Sequence, residues 1–249
     1  MKTLFTGNRL EGINIFIDKL NWKITLNFIN QLIGETNFFF FFGSERGSHL
    51  KIFAPQISDY QIAEIEKFLT ELPKYSQLTS QDPLFKNAEQ NTVHRFSKVD
   101  SRTDFVSKKV DFNKFICQTS GTIISALNYN DFFLEEKSRI NMALQLAFLA
   151  LVKTDKKRIF DELYLDFGNS KEQIPVQLIN FFKEIQAIES EEETQKWVLD
   201  WISNSSDFLT DNNFNLLLET ITQILEIREF TTTVAKTTYL VLNSVGVEI

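Results

Sequence analysis

Three basic side chains that fall close together form the most suggestive group in the sequence. Arg46, His49 and Lys51 occur within six residues, in the segment GSERGSHLKIF. If this segment is a strand, His49 and Lys51 project from the same face, because side chains alternate along a strand. Such a pair can bind a carboxylate or a phosphate, and a histidine can transfer protons near neutral pH. The alternative is an exposed strand face that carries His and Lys without binding a ligand.

A second basic segment covers residues 94–109. It has two acidic residues, Asp100 and Asp104, and a larger number of basic ones. The basic residues are Arg95, Lys98, Arg102, Lys108 and Lys109. Two interpretations stay open: a basic loop in solvent, or a surface that faces an anionic substrate. The whole chain has a net charge of −7. Because nonspecific nucleic-acid binding needs a basic stripe, we expect no direct nucleic-acid partner.

The composition argues against several kinds of site. Cys117 is the only cysteine, and the two histidines are His49 and His94. A disulfide framework, a cysteine-based zinc site and a histidine metal cluster are therefore not expected. Cys117 is predicted to be a buried, inert thiol. No phosphate-binding loop, dinucleotide fingerprint or common hydrolase motif occurs, so we expect no metal and no cofactor.

The sequence shows no targeting or membrane segment. The N-terminal residues lack the apolar core of a signal peptide. The most apolar helical stretch, residues 142–152, is much shorter than the ~18 residues of a membrane span. We therefore expect a cytoplasmic protein without a membrane span.

The first third of the chain alternates between strand and helix patterns. Residues 13–17 have isoleucine at every second position, which predicts a strand with one buried face. A helical apolar stripe starts at Trp22, with Asn21 as its expected N-cap. The phenylalanine run at 38–42 predicts a central strand buried on both faces, and residues 49–53 alternate as in a further strand.

The rest of the chain is predicted to be mainly helical. Ser58 and Gln61 have the spacing of a capping box at the start of a helix. Residues 141–152 are apolar on nearly every side and predict a buried central helix. The expected fold is α+β: an N-terminal mixed or antiparallel sheet with flanking helices, then a large, mainly helical C-terminal half. We expect one compact domain, with a sheet-containing part at 1–110 and a helical part at 111–249.

The order of these elements resembles a known family. The stretch FFFFFGSERGSHLKIF resembles the opening of the thiopeptide-type bacteriocin biosynthesis domain. That domain is also the C-terminal glutamate-elimination domain of class I lantibiotic dehydratases. Its members have an aromatic strand ending in Arg-Tyr, an Asp-Pro-Gly turn and then His-Leu-Arg-x-Arg. This chain keeps the aromatic strand, Gly47, His49, Leu50 and a basic residue, Lys51.

Looser matches follow in the order of the family. Its Tyr-x-x-Glu-x-x-Arg-Tyr-Gly-Gly stretch falls on residues 96–105, where Arg102 is retained. Its closing His-Met-x-x-Asn-Arg helix falls on residues 239–244, where Asn243 is retained. Four family residues, an arginine, a glutamate, a histidine and a second arginine, are replaced here by Phe42, Val99, Tyr239 and Ser244.

The resemblance implies a chemistry and its partners. In the elimination domains, arginines hold a glutamyl ester of Ser or Thr while a base removes the α-proton and glutamate leaves. For this chain, the resemblance implies catalytic roles for His49, Arg102 and Tyr239, and substrate-binding roles for Arg46, Lys51 and Asn243. It also implies a precursor peptide as substrate. The glutamylating dehydratase would be a separate subunit, because the glutamylating domain of the family is much larger than this chain.

Other functions stay open. The same resemblance extends to the thiopeptide pyridine synthases, which have this scaffold with a different pocket. These enzymes join two dehydroalanines by cycloaddition. A noncatalytic subunit could bind or scaffold the precursor peptide, for example by strand addition at a sheet edge. An unrelated α+β enzyme is a further alternative.

Overall fold

The structure is a computed structural model that describes residues 10–34, 37–44, 46–75, 88–96, 110–170, 172–188, 194–209 and 213–247. The chain divides into two compact units, Met1–Leu134 and Glu135–Ile249, called here the first and the second unit. The organisation as one domain stays a prediction.

In its described residues, the first unit combines a four-stranded sheet with three α-helices. In chain order its elements are β1 (Glu11–Phe16), α1 (Trp22–Ile33), β2 (Phe39–Gly43), β3 (His49–Ala54), α2 (Asp59–Thr70), β4 (Thr92–Phe96) and α3 (Val110–Leu127). The strand order is β2-β3-β1-β4, and neighbouring strands are antiparallel. The described elements of the second unit are helices, so the predicted α+β fold with a helical C-terminal half is confirmed, and the sheet is antiparallel rather than mixed.

One face of the sheet, called the first face, packs against helices. The isoleucine pattern of β1 is confirmed, because Ile13 and Ile15 lie on this face and are 1% and 0% exposed. Phe42 on β2 also lies on this face, and its ring stacks on Trp22 of α1 with 4.5 Å between the ring centroids. In β1, the alternation of side chains therefore places the isoleucines on the face that meets the helices.

Helix α2 begins as the sequence predicts and is tied to β4. Ser58 and Gln61 form the predicted capping box. Arg95 of β4 donates hydrogen bonds from Nη2 to the Ile57 carbonyl at 3.0 Å and to the Asp59 carboxylate at 2.7 Å. These contacts anchor the start of α2 on the first face of the sheet.

Strand β2 is buried on both faces, as predicted, but its predicted central position is wrong. Its four phenylalanines are each 0% exposed, yet among the described strands β2 pairs only with β3 at the edge of the sheet. Phe39 and Phe41 pack on Phe53 from one face, while Phe42 packs on Trp22 from the other. A continuous aromatic run indicates that both faces of a strand are covered by other side chains. It does not indicate how many strands pair with that strand.

Helix α1 starts at the predicted residue without the predicted cap. Asn21 makes no capping hydrogen bond, and its Nδ2 donates instead to the Pro73 carbonyl at 3.1 Å. Asp18 caps a short 3-10 turn before the helix by accepting a hydrogen bond from the Leu20 N–H at 2.9 Å. The chain thus enters α1 through this turn, which the cap rule alone does not predict.

Helix α3 packs against α1 and β2 and carries the only cysteine. Cys117 is 1% exposed, so the predicted burial of this thiol is confirmed. Burial raises the pKa of the Cys117 thiol to about 12. At neutral pH the sulfur is therefore protonated and shielded from solvent.

We expect Cys117 to react with a thiol reagent only after unfolding, because the thiolate is the reactive form. Ellman's reagent added to the native protein at mildly alkaline pH should release almost no chromophore. The same assay in concentrated guanidinium chloride should titrate one thiol per chain. Complete reaction of the native protein within minutes would contradict this expectation.

The second unit is helical in its described part. Its helices are α4 (Glu136–Ala150), α5 (Lys156–Phe167), α6 (Val176–Gln186), α7 (Lys196–Phe208), α8 (Phe214–Ile224) and α9 (Thr231–Ser244). Helix α4 contacts α6, α7, α8 and α9, so the predicted buried central helix is confirmed. Within the described ranges, no helix is both long and apolar enough to cross a membrane.

Arg139 joins α4 to the end of α8. The Arg139 residue is 7% exposed, and its Nη1 donates to the Leu225 carbonyl and to the Glu226 carboxylate, both at 3.2 Å. Leu225 is the C-cap of α8, so the guanidinium binds the carbonyl end of that helix.

Arg139→Ala is expected to lower the free energy of unfolding by about 3 kcal/mol, because it removes one partner of a largely buried ion pair. Urea unfolding checks this value. Lys137→Ala, at an exposed position of the same helix, is the matched control and should change stability by less than about 0.5 kcal/mol. Equal effects of the two variants would show that the Arg139 contacts add no stability.

Candidate functional site

The opposite face of the sheet, called the second face, carries the predicted basic pair. The register places its side chains in three rows across β2, β3, β1 and β4. The first row is Gly43, His49, Phe16 and Thr92; the second is Phe41, Lys51, Asn14 and His94; the third is Phe39, Phe53, Gly12 and Phe96. His49 and Lys51 therefore share one face, as the alternation predicts.

Two glycines and a carbonyl fix the imidazole of His49. Gly47 has a φ of +112°, a conformation that favours glycine, and its carbonyl accepts a hydrogen bond from His49 Nδ1 at 2.8 Å. Because a carbonyl only accepts, Nδ1 carries a proton and the lone pair of the neutral ring is on Nε2. The ring lies over Gly43, where any Cβ would overlap it. The backbone thus fixes the orientation of the His49 imidazole, with Nε2 toward Gly43.

Lys51 lies beside His49 among aromatic rings. His49 is 2% and Lys51 7% exposed, and the ring of Phe16 lies 4.9 Å from the His49 ring between centroids. At the β4 end of the same face, His94 is exposed and Asn14 is half-buried. The second face is therefore closed at its β2–β3 side and open at its β4 side.

Two polar residues of this face, Asn14 and His94, are not predicted by the sequence to lie beside Lys51. Thr92 Oγ1 donates to the Glu89 carbonyl at 2.7 Å and lies 3.2 Å from His94 Nε2. Since its single proton is used, the Thr92 hydroxyl accepts a hydrogen bond from His94 Nε2, and the neutral ring has its lone pair on Nδ1. Only the pairing of β1 with both β3 and β4 places the two histidines of the chain on one face.

Of the two predicted arginines, the structure describes only Arg46, which does not lie on this face. Arg46 is exposed in the turn between β2 and β3, with a φ of 63°, and its carbonyl accepts a hydrogen bond from the Ala88 N–H at 2.9 Å. Arg102 lies outside the described residues. The substrate-binding role of Arg46 and the catalytic role of Arg102 stay predictions.

The remaining predicted residues, Tyr239 and Asn243, are on α9 in the second unit. Tyr239 is 3% exposed, and its ring stacks on Phe160 with 5.1 Å between centroids. Burial, with a further contribution from the Tyr164 phenol, raises the pKa of the Tyr239 hydroxyl. Asn243 follows one turn later and is exposed. The proton-donor role of Tyr239 and the binding role of Asn243 stay predictions.

A cleft of about 670 Å³ opens beside this aromatic cluster. Phe167 lines it and lies 6.3 Å from the Tyr239 ring between centroids. Lys236 and Glu172 line it as well and form an ion pair at 2.5 Å. In the described part of the chain, no group of three or more His, Cys, Asp or Glu could hold a metal ion.

Comparison with known proteins shows a likeness at the level of fold. The chain matches no protein-family model and no curated protein. Its fold resembles that of a synthase from thiomuracin biosynthesis. That structure is the pyridine synthase TbtD, with 11% sequence identity and a TM-score of 0.54 over 95% of this chain and 97% of the TbtD chain. At this identity the likeness shows the fold alone.

The likeness supports part of the resemblance stated from the sequence. A fold from thiopeptide biosynthesis was expected, and the likeness to TbtD agrees with it. Membership of the glutamate-elimination domains was the finer expectation, and it stays a prediction.

Proposed function

We propose that this protein eliminates glutamate from glutamylated Ser or Thr residues of a ribosomally made precursor peptide. The observation that carries the proposal is the orientation of His49, whose Nε2 lone pair is set by the Gly47 carbonyl beside Lys51 on one sheet face. The fold likeness to an enzyme of thiomuracin biosynthesis supports a role in peptide modification. The family resemblance of the HLK motif supports the choice of elimination.

The reaction assigns one task to each of these two side chains. His49 Nε2 takes the α-proton of the glutamylated residue, and the electron pair of the C–H bond forms the Cα=Cβ double bond. The Cβ–O bond breaks, and glutamate leaves as a carboxylate with the electron pair of the Cβ–O bond. The Lys51 ammonium stabilises the negative charge that develops on the leaving group. The peptide keeps a dehydro amino acid.

The substrate must be glutamylated before this step. We propose that a separate dehydratase subunit attaches the glutamyl group and that both proteins act in the cytoplasm on the same precursor peptide. Such a division of labour leaves this chain with a reaction that needs an oriented base and a cation.

Release of glutamate tests the proposal. The probe is a synthetic Ser/Thr-rich peptide that carries a glutamyl ester on one Ser. Glutamate should be released at a rate proportional to the protein concentration, above the rate of the ester alone. No release by the folded protein would contradict the proposal.

A second probe distinguishes elimination from the other functions considered for this fold. A version of the probe with two dehydroalanines in place of Ser would form a ring with a cycloaddition enzyme and stay unchanged with an elimination enzyme. Tight binding of both peptides without any change of mass would favour a noncatalytic subunit.

A further inference from the structure

A polar row crosses the second face from β3 to β4. It consists of Lys51 on β3, Asn14 on β1 and His94 on β4, which the register places directly opposite one another. Cβ atoms of opposite residues in antiparallel strands lie about 4.5–5.5 Å apart. One small ligand can therefore contact Asn14 and both of its neighbours.

Exposure increases along this polar row. Lys51 is 7% exposed, Asn14 is half-buried and His94 is exposed. A ligand would thus enter over β4 and reach Lys51 at the closed end. Phe16, 8% exposed, and Phe96, half-buried, lie in the rows on either side and give the strip apolar borders.

Asn14 has an acceptor atom that is not satisfied in the described structure. Its Oδ1 is buried and has no hydrogen-bond partner. Buried polar atoms are nearly always hydrogen-bonded, so an unsatisfied one calls for a ligand or a water molecule that donates to it. The two neighbours in the row, Lys51 and His94, are groups that can carry positive charge.

We propose that Asn14, His94 and Lys51 bind the amino acid that the reaction expels, and that Asn14 and His94 determine its specificity. The row offers an acceptor between two groups that can be cationic, and glutamate offers an ammonium and two carboxylates. Asn14 Oδ1 accepts a hydrogen bond from the α-ammonium, and Lys51 and His94 each bind a carboxylate. The choice of glutamate rests on the proposed function, whereas the site itself rests on the geometry of the row.

Histidine-selective NMR tests this site directly, because the chain has only two imidazoles. Titration with L-glutamate should shift the His94 signals saturably, and the loss of one set of signals in His94→Gln assigns them. L-Glutamine lacks the side-chain carboxylate and should bind at least tenfold more weakly. Asn14→Ala should weaken the binding of glutamate by a similar factor.

Arg95→Gln is the matched control. Arg95 is exposed on the same strand as His94 but lies on the first face, so its loss should leave the glutamate affinity unchanged. If Asn14→Ala fails to fold, His94→Gln gives the same test, because residue 94 is exposed. Calorimetry then measures the binding of glutamate to this variant.

The outcomes separate this inference from the proposed function. Saturable binding of glutamate that depends on Asn14 and His94 supports the site, even if no elimination is observed. Elimination without a His94 shift on addition of glutamate overturns the site and leaves the proposed function intact. Equal binding of glutamate and glutamine also overturns it.

Discussion

Phe42→Arg is expected to unfold the first unit rather than to supply the arginine that the family has near this position. Phe42 is 0% exposed, and its ring stacks on Trp22 at 4.5 Å and on Phe133 at 6.2 Å between centroids. The new guanidinium would lose water and gain aromatic neighbours, while the core loses a phenyl ring. The two losses together should cost at least about 4 kcal/mol.

The position of Phe42 also bears on function. It lies on the first face, whereas His49 lies on the second, so a side chain at residue 42 does not reach the His49 imidazole through the sheet. In this chain, the position that resembles the arginine position of the elimination domains is therefore part of an aromatic core. In the proposed reaction, Lys51 is the cation.

Urea unfolding followed by near-UV circular dichroism measures the effect of Phe42→Arg. Leu20→Arg is the control, because Leu20 is 55% exposed in the same unit, and it should change stability by less than about 0.5 kcal/mol. A Phe42→Arg protein with the unfolding midpoint of the wild type would contradict the packing described for β2.

His49→Asn is expected to slow glutamate release by about 10²–10⁴-fold, because that is the usual contribution of a general base. The asparagine amide can still donate a hydrogen bond to the Gly47 carbonyl, which His49 Nδ1 now does at 2.8 Å. The variant lacks a basic atom at the position of Nε2. Its unfolding midpoint shows whether the variant is folded at the assay temperature, and a normal rate of release by the folded variant would exclude His49 as the base.

Gly43→Ala provides a companion variant that keeps the histidine. A methyl group at residue 43 would overlap the His49 imidazole and push the ring off β2. Misplacement of a catalytic group by about 1 Å can cost ~10²-fold in rate. We expect a fall of this size in glutamate release, with the ring signals of His49 shifted in the NMR spectrum. An unchanged spectrum would contradict the close approach of His49 to Gly43.

The sequence predicts those features that depend on neighbouring residues. The alternation along 49–53 correctly puts His49 and Lys51 on one side, and the isoleucines of β1 on a buried face. The capping box of α2 follows from Ser58 and Gln61 alone. In each case the physical cause is local: side chains alternate along a strand, and a short side chain binds the N–H groups of the next turn.

The features that the sequence did not predict depend on contacts between distant segments. Asn14 and His94 are 80 positions apart, and only the β1–β4 register makes them neighbours. The edge position of β2 depends on which strands pair, and Asn21 binds the Pro73 carbonyl instead of capping α1. Strand pairing and such side-chain bonds are set by the packing of the whole unit, so a local pattern does not contain them.

The mass of the product peptide tests the central claim most directly. The glutamylated probe is incubated separately with the wild-type protein and with His49→Asn. The mass of the peptide in each mixture is then followed over time by mass spectrometry. The proposed elimination predicts a product that has lost glutamic acid and is one water lighter than the unmodified peptide, formed by the wild type and not by His49→Asn. A product with the mass of the unmodified peptide, as ester hydrolysis gives, or equal conversion by both proteins, would contradict it.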